Sequence, residues 1–345
     1  MKRKSFILIT LLSLGLVSYS NNTPKYQEKI KLIFETDIGN DVDDALALDM
    51  IYKYMEAGKV DLLAIMSNKN SKYAAEFTDI MATWYGHANV PIGIVKDGVD
   101  SESDAVNYAR AVCEITVDGK PAFERTLTDY ESLPEAVVLY RKILAQQPNH
   151  SVDIVSVGFS TNIVKLLDSP ADEYSPLTGK ELIAAKVKQL VIMAGSFGEK
   201  PLKEYNVVKD IPAAQKIFSE WPTSVVATPF EVGIKIEYPA ASIENDLDWG
   251  VLHPMVEAYK AYLPMPYDRP TWDLTAVLYA AEPDSVFMNK SPNGIISIDT
   301  AGYSIFTADG SGKHIYLEVN DEQVKKIKDY FVRLITKKPL KYSEQ

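Results

Sequence analysis

The sequence predicts an α/β protein in which helices flank a mostly parallel sheet, with a mixed helical C-terminal part. Short apolar segments typical of strands alternate with amphipathic helical segments through the first two thirds of the chain. Gly58 and Gly86 directly follow two of the predicted helices, as glycine often does at a helix C-terminus. Polar residues gather after the predicted strands, where α/β sheets place their sites.

The predicted strands are short and rich in Val, Ile and Leu. They cover residues 32–35, 60–67, 92–95, 152–157, 187–194 and 224–228. The segments with helical periodicity cover residues 44–57, 74–85, 133–146 and 212–218. Beyond Pro239 the pattern predicts helices at residues 251–262, 274–281 and 321–334, and a hairpin formed by residues 294–298 and 315–319.

The N-terminus has the composition of a secretory signal peptide. Three basic residues at positions 2–4 precede an apolar run at residues 6–17, and small residues follow it. The run is too short to span a membrane, and no cysteine follows it to carry a lipid anchor. We therefore expect residues 1–20 to be a Sec-type signal peptide and residues 21–345 to form a single domain. The protein is then secreted, most simply to the periplasm, with no membrane attachment after cleavage.

The overall charge limits the choice of partners. The chain carries a formal net charge of −11, and removal of the basic signal makes it more negative. Such a surface repels the phosphates of nucleic acids, and no basic stripe counters the repulsion. The only cysteine, Cys113, has no intramolecular disulfide partner, so the hydrophobic core must stabilise the fold. We do not expect nucleic acid as a partner.

Four aspartates lie between positions 37 and 44, in the turn that joins the first predicted strand to the first helix. Two unit charges about 4 Å apart interact by about 4 kcal/mol at an effective dielectric constant near 20. Helix capping explains one or two of them, Asp41 or Asp43, but not Asp37, which directly follows the strand. Val42 and Leu48 occupy the positions where an EF-hand requires Gly and Glu. The turn instead predicts another kind of calcium or magnesium site.

Three later segments also place polar groups near strand ends. They are residues 157–162, 204–206 and 269–273. Glu204 and Asn206 would point the same way from an extended segment, as needed to hold two neighbouring hydroxyls. Asp273 opens a predicted helix, where it is either a cap or a metal ligand. Each segment alone is also explained by an ordinary helix cap or a solvated loop.

Together, the four segments resemble the calcium-dependent, inosine–uridine-preferring nucleoside hydrolase family, from Lys31 to Leu278. Residues 35–39 (Glu-Thr-Asp-Ile-Gly) and 43–47 (Asp-Asp-Ala-Leu-Ala) look like the family signature Asp-Thr-Asp-Pro-Gly-x-Asp-Asp-Ala. The resemblance implies a Rossmann-like nucleoside hydrolase fold. It also implies an N-glycosyl hydrolase that converts ribonucleosides or related N-ribosides into ribose and free base, and that forms a homodimer or homotetramer.

The resemblance further implies roles for particular residues. Asp37 would bind calcium and act as general base toward a calcium-held water. Asp44, Asp273 and the main-chain carbonyl of Val157 would be the other calcium ligands.

The sugar contacts are implied in the same way. Asp43, Glu204 and Asn206 would hold the ribose hydroxyls. An asparagine after the second strand, either Asn68 or Asn70, would also contact the sugar.

The chain departs from the family pattern at several places: Glu35 stands where an aspartate is usual, and the family's asparagine ahead of the Glu-x-Asn element falls near Gly198. Asn40 and Asp41 are extra residues in the signature, so Asp41 either replaces Asp43 or joins it. Trp272 stands where the family has a histidine that protonates the leaving base, and an indole N–H is not a useful general acid. Trp272 either stacks on the leaving group or packs in the pocket wall.

Another residue would then have to protonate the leaving base. None of the four histidines is an obvious replacement. Glu231, Tyr267 and Asp268 are the candidates.

Two functions other than nucleoside hydrolysis are compatible with the same residues. The first is a non-catalytic ribose- or nucleoside-binding protein that keeps the calcium site. The second is magnesium-dependent phosphoryl transfer. The sequence has no glycine loop with a lysine that would bind the phosphates in such a reaction.

Overall fold

A ten-stranded, mostly parallel sheet forms the centre of the molecule in the computed structural model, which describes residues 28–100, 106–283 and 285–343. The predicted signal peptide lies outside the described residues. The strands in chain order are β1 (Ile30–Thr36), β2 (Val60–Asn70), β3 (Ile92–Asp100), β4 (Thr116–Val117), β5 (Lys120–Pro121), β6 (Val152–Ser156), β7 (Val187–Ile192), β8 (Ser224–Ala227), β9 (Glu237–Tyr238), β10 (Arg269–Pro270), β11 (Asn289–Lys290), β12 (Gly294–Ile298), β13 (Ser304–Ala308) and β14 (His314–Glu318).

Helices connect most of these strands and cover both faces of the sheet. In chain order they are α1 (Asp43–Glu56), α2 (Lys72–Tyr85), α3 (Tyr108–Cys113), α4 (Ala136–Gln146), α5 (Thr161–Asp168), α6 (Gly179–Lys186), α7 (Tyr205–Lys209), α8 (Ile211–Glu220), α9 (Phe230–Gly233), α10 (Ala240–Asn245), α11 (Pro254–Tyr262), α12 (Trp272–Ala281), α13 (Asp321–Ile335) and α14 (Leu340–Ser343). No helix in the described ranges combines the length and apolar character required to cross a bilayer.

The strand order places β1 at a reversal in the connectivity. The main path of the sheet runs β13-β12-β14-β8-β7-β6-β1-β2-β3, and β11 pairs with β14. From β1 the chain moves outward through β2 to β3, whereas β6, β7 and β8 lie on its other side, all in parallel. A crevice forms at such a reversal, outside the carboxyl ends of the strands.

Strand β1 is buried on both faces, as its apolar sequence predicts. Leu32 and Phe34 join a core formed with α1, α2, α11, α12 and α13, whereas Ile33 joins the opposite core with α4, α5, α6 and α8. Successive side chains of a strand point to opposite faces, so this alternation fixes the register of the strand. The burial on both faces holds the end of β1 in place.

The pairing predicted for the C-terminal hairpin is wrong, although both of its segments form strands. Residues 294–298 do form β12, but their antiparallel partner over the whole strand is β13. The predicted partner instead lies in β14, which is parallel to β8 and pairs with β12 at His314 and Gly294. A tight turn joins β12 to β13: the Asp299 carboxylate accepts hydrogen bonds from the backbone N–H groups of Ala301 and Tyr303.

Several helices differ from the prediction. Helix α4 begins at Ala136 and α11 at Pro254, three residues later than predicted in each case. Helices α5 and α6 were not predicted. Helix α6 carries a capping box, in which Thr178 and Glu181 bond each other's backbone N–H, and this signal was visible in the sequence.

Candidate active site

The crevice at the ends of β1 and β6 contains a cavity of about 410 Å³. It is lined by acidic, amide and aromatic side chains. The lining residues are Asp37, Asn40, Asp41, Asp43, Asp44, Val157, Met193, Leu202, Lys203, Glu204, Tyr205, Asn206, Phe230, Tyr262, Trp272 and Asp273. The cavity therefore brings together all four segments singled out in the sequence.

Three buried carboxylates form the acidic centre of the cavity. One oxygen each from Asp43, Asp44 and Asp273 lies within 4.8 Å of the others. Asp43 and Asp44 begin α1, and Asp273 lies in the first turn of α12. The backbone N–H of Asp273 donates to Asp43 Oδ2 at 3.1 Å, and the Thr36 hydroxyl donates to Asp44. Two helix starts and the end of β1 thus converge on one point.

The electrostatics of this acidic centre favour a cation. Burial raises the pKa of Asp43, Asp44 and Asp273 well above the usual range, and repulsion among the neighbouring carboxylates raises it further. A divalent cation among these oxygens would relieve both penalties, and hard carboxylate oxygens are the ligands that calcium and magnesium prefer. The residues present fit such an ion.

Asp37 lies beside the acidic centre. It is only 5% exposed and lines the cavity, and its charge raises the pKa of Asp44, Asp273 and Glu204 after the larger effect of burial. We had expected Asp37 to lie closest to Asp44 and Asp273. The three carboxylates that lie closest together are instead those of Asp43, Asp44 and Asp273. Asp37 therefore faces the same space from the end of β1.

Gly158 makes this position of Asp37 possible. A Cβ at residue 158 would lie 2.7 Å from both the backbone N and Oδ1 of Asp37, and 2.6 Å from Oδ1 of Asn68. We expect Gly158→Ala to displace Asp37 and to lower the activity of the site by about 100-fold, as a shift of about 1 Å in an active site typically does. Gly310→Ala, where an added Cβ meets nothing within 4 Å, is the control in steady-state kinetics. Equal activity of the two variants would contradict the expectation.

Glu204 and Asn206 face the cavity from a helix start rather than from the extended segment we had expected. Glu204 caps α7, and its carboxylate accepts hydrogen bonds from the backbone N–H of Asn206 at 2.7 Å, Val207 at 3.1 Å and Gly195 at 3.2 Å. Burial nevertheless raises the pKa of Glu204 to about 7. Asn206 Nδ2 donates to the Val157 carbonyl at 2.9 Å, the carbonyl proposed from the resemblance as a metal ligand.

Asn68 lies one layer behind the cavity and is not among the described residues that line it. It is fully buried, and its Nδ2 donates to the Phe159 carbonyl at 2.9 Å and to Glu35 Oε1 at 3.4 Å. Burial raises the pKa of Glu35 to about 8, and the Tyr140 hydroxyl donates to this carboxylate at 2.7 Å. Asn70, the alternative, is exposed.

The two extra residues of the signature have separate partners. Asp41 forms a bidentate pair with Arg269, so Asp43, not Asp41, joins the acidic centre. Asn40 accepts a hydrogen bond from the ammonium of Lys69 and donates to the Tyr205 hydroxyl at 3.4 Å. Lys69 is buried, and its positive charge lowers the pKa of Asp44 against the larger effect of burial.

Trp272 forms part of the cavity wall. Its indole N–H donates to the Phe230 carbonyl at 3.1 Å, and the Trp272 and Phe230 rings stack with centroids 5.6 Å apart. A Cβ at Gly233 would lie 2.4 Å from Trp272 Cα, so glycine is needed for this close approach. An aromatic surface therefore faces the acidic centre.

The three proposed proton donors lie elsewhere, since none of them is among the cavity-lining residues of the described chain. The Tyr267 hydroxyl donates to the Tyr259 carbonyl, Asp268 accepts from the backbone of Ala240, and Glu231 accepts from the backbone of Gly198. These partners give each of the three a structural role.

Sequence reasoning missed several residues at the cavity. Those that line it are Met193, Leu202, Lys203, Tyr205, Phe230 and Tyr262, and those that bond to the lining residues Asn40 and Asp41 are Lys69 and Arg269. Most lie on loops or helix ends, where hydrophobic periodicity carries no signal about the direction of a side chain.

Comparisons with known proteins give matches at the level of family and fold. The family model for inosine-uridine preferring nucleoside hydrolases matches residues 32–326. None of the curated proteins matches the chain. Among solved structures, the plant nucleoside hydrolase PpNRh1 has a TM-score of 0.66 at 17% identity, covering 90% of this chain and 98% of its own.

Two further structures are similar. The purine-preferring ribonucleoside hydrolase from Gardnerella vaginalis has a TM-score of 0.66 at 17% identity and covers 89% of this chain and 98% of its own. An inosine-guanosine nucleoside hydrolase has a TM-score of 0.65 at 19% identity and covers 89% and 97%. At these identities the structural matches establish the fold alone.

Proposed function

Because the chain belongs to the inosine-uridine preferring nucleoside hydrolase family and is an N-glycosyl hydrolase, we propose that it cleaves ribonucleosides into ribose and free base with the help of bound calcium. The observation that carries the proposal is the convergence of Asp43, Asp44 and Asp273 beside Asp37 in one cavity. A non-catalytic binding protein is not favoured, because the family consists of hydrolases. The phosphoryl-transfer alternative is likewise set aside.

The acidic centre would hold the calcium ion, with oxygens from Asp43, Asp44 and Asp273 and further oxygens from Asp37 and the Val157 carbonyl. The chemistry that bound calcium supplies is Lewis acidity toward the attacking water. Asp37 accepts the proton of that water as its oxygen attacks C1′ of the sugar. The low exposure of Asp37 keeps bulk water away from this proton transfer.

The side chains around the acidic centre orient the sugar. Glu204 and Asn206 project from the start of α7 into the cavity, where their oxygens accept hydrogen bonds from ribose hydroxyls. Positive charge develops on the sugar ring as the N-glycosidic bond breaks, and the nearby carboxylates stabilise it. Trp272 and Phe230 offer an aromatic surface for a planar leaving base.

Release of reducing sugar from a panel of purine and pyrimidine nucleosides tests the proposal. The protein is first stripped with a chelator and then assayed with and without added calcium. We expect turnover that is lost in the stripped protein and restored by calcium. Calorimetry verifies binding of the ion in the same sample. Turnover that is unaffected by stripping would refute the metal requirement, and no turnover with calcium bound would refute the proposed substrate class.

A further inference from the structure

An arginine is fixed at the aromatic end of the cavity by one of the extra signature residues. Arg269 Nε donates to Asp41 Oδ1 at 2.9 Å, and Arg269 Nη2 donates to Asp41 Oδ2. This bidentate geometry sets the plane of the guanidinium. The pair joins residues 228 positions apart, and only 20% of the Arg269 side chain is exposed. The contact is therefore specific rather than a loose surface ion pair.

The guanidinium of Arg269 lies over two rings of the cavity wall. Its Cζ is 4.9 Å from the ring centroid of Tyr262 and 5.3 Å from that of Trp272. Both rings line the cavity, as does Asp41, whereas Arg269 is not itself among the described residues that line it and lies directly beside these three. A permanent positive charge is thus held next to the aromatic surface, on which a planar base would rest.

Arg269 stays charged in this setting. Burial lowers the pKa of its guanidinium, but the hydrogen bonds that Arg269 donates to Asp41 and the charges of Asp41 and Asp43 together raise it by more, so the pKa lies above the ordinary arginine value. The structure records hydrogen bonds from Nε and Nη2 only, and Nη1 makes none with the described residues. An N–H donor therefore remains for another molecule.

The departing base needs such a donor. When the C1′–N bond breaks, its electron pair stays on the base, which becomes an anion unless a proton arrives at the same time. Trp272 stands where a histidine would supply that proton, and its indole N–H is bonded to the Phe230 carbonyl.

Resting on the function proposed above, we propose that Arg269 activates the leaving group, by donating a hydrogen bond to a ring-nitrogen or carbonyl acceptor of a heteroaromatic base. No proton leaves the arginine. The water oxygen bonds to C1′, its proton goes to Asp37, and the base departs as an anion paired with the guanidinium. The base then takes a proton from solvent, and Asp37 returns its proton to solvent. Asp41 acts as the positioning residue.

The dependence on the leaving group tests this role. Inosine carries a poor leaving group with acceptor atoms, whereas p-nitrophenyl β-D-ribofuranoside releases a phenolate that needs no help. We expect Arg269→Gln to lower kcat on inosine by about 100-fold, as for loss of one charge-stabilising donor, and to leave kcat on the p-nitrophenyl riboside unchanged. Arg269→Lys keeps the charge and should recover part of the loss on inosine.

A matched control comes from Arg333, which lies over the Tyr330 ring at 5.3 Å on the exposed side of α13. Arg333→Gln should leave both substrates unaffected, and thermal melting verifies that each variant is folded. An equal decrease in kcat on both substrates in Arg269→Gln would show that the residue has a structural role, and would overturn this inference. An undiminished kcat on inosine would also overturn it. A wild-type protein that cleaves neither substrate would refute the proposed function itself.

Discussion

Replacing Asp37 with asparagine should lower kcat by about a thousandfold on every nucleoside that the protein hydrolyses. The variant keeps a side-chain oxygen of similar shape in the cavity but no longer accepts a proton from the attacking water. The same thousandfold decrease in kcat is expected for p-nitrophenyl β-D-ribofuranoside. The substitution impairs activation of the attacking water and does not affect the leaving group. Steady-state kinetics at saturating calcium measure the effect, and calorimetry reports the metal affinity of the variant separately.

Asp61→Asn is a suitable control for this experiment. Asp61 is an exposed aspartate on β2, far from the carboxyl end of the strand, so its variant should match the wild type. A rate in Asp37→Asn close to that of the wild type would mean that another group accepts the proton. Glu204, whose pKa burial raises to about 7, would then be the next residue to test.

Removing one carboxylate of the acidic centre should abolish stabilisation by calcium. A ligand at 100 times its Kd stabilises a folded protein by about 2.7 kcal/mol. We expect this gain in the free energy of unfolding for the wild type and almost none for Asp273→Asn. Without calcium we expect the variant to be the more stable of the two, because Asp273→Asn removes a buried carboxylate whose pKa is raised by burial and by repulsion from Asp43 and Asp44. Urea unfolding with calcium and with chelator measures both effects.

The same carboxylates predict the pH dependence of stability. Burial raises the folded-state pKa of Asp43, Asp44 and Asp273, and raises that of Glu35 to about 8. The folded metal-free protein therefore holds more protons than the unfolded chain, and its stability falls as the pH rises from about 5 toward 8. Calcium needs the deprotonated carboxylates, so its benefit should grow over that range.

Unfolding experiments at both ends of this pH range provide the check. In Asp273→Asn the metal-free decline with pH should be shallower than in the wild type. Glu181→Gln is the control, because it leaves the acidic centre intact. Glu181 is an exposed residue that bonds Thr178 at the start of α6. A calcium benefit that is equal at both pH values, or that survives in Asp273→Asn, would contradict the proposed ligand set.

The polar positions after strands were the most predictable part of the site. Asp37, Asp44, Val157 and Asp273 each follow a strand or begin a helix, and the topology of a parallel sheet brings such positions to one edge. The continuous apolar run of β1 is likewise typical of a strand that is buried on both faces. The fold class is confirmed by the mostly parallel central sheet. It could be predicted because the sequence signals of strands and helices are local and a parallel sheet connects them in a regular way.

Features that depend on partners distant in sequence were not predictable. Nothing near Asp41 indicates that it pairs with Arg269, and nothing near Lys69 indicates a buried contact with Asn40. Strand β13 was missed because its five residues alternate weakly and its pairing depends on a turn set by Asp299. In each case a contact over many residues, or a side-chain bond within a loop, decides the structure.

The hydrogen bond between the backbone of Asp273 and the carboxylate of Asp43 links positions 230 residues apart. During synthesis on the ribosome, every nascent chain that ends between Asp44 and Asp273 carries part of the proposed ligand set and lacks the rest. Catalytic competence must therefore arise late and all at once. A truncated product ending before α12 would be inert, however well its first strands had paired.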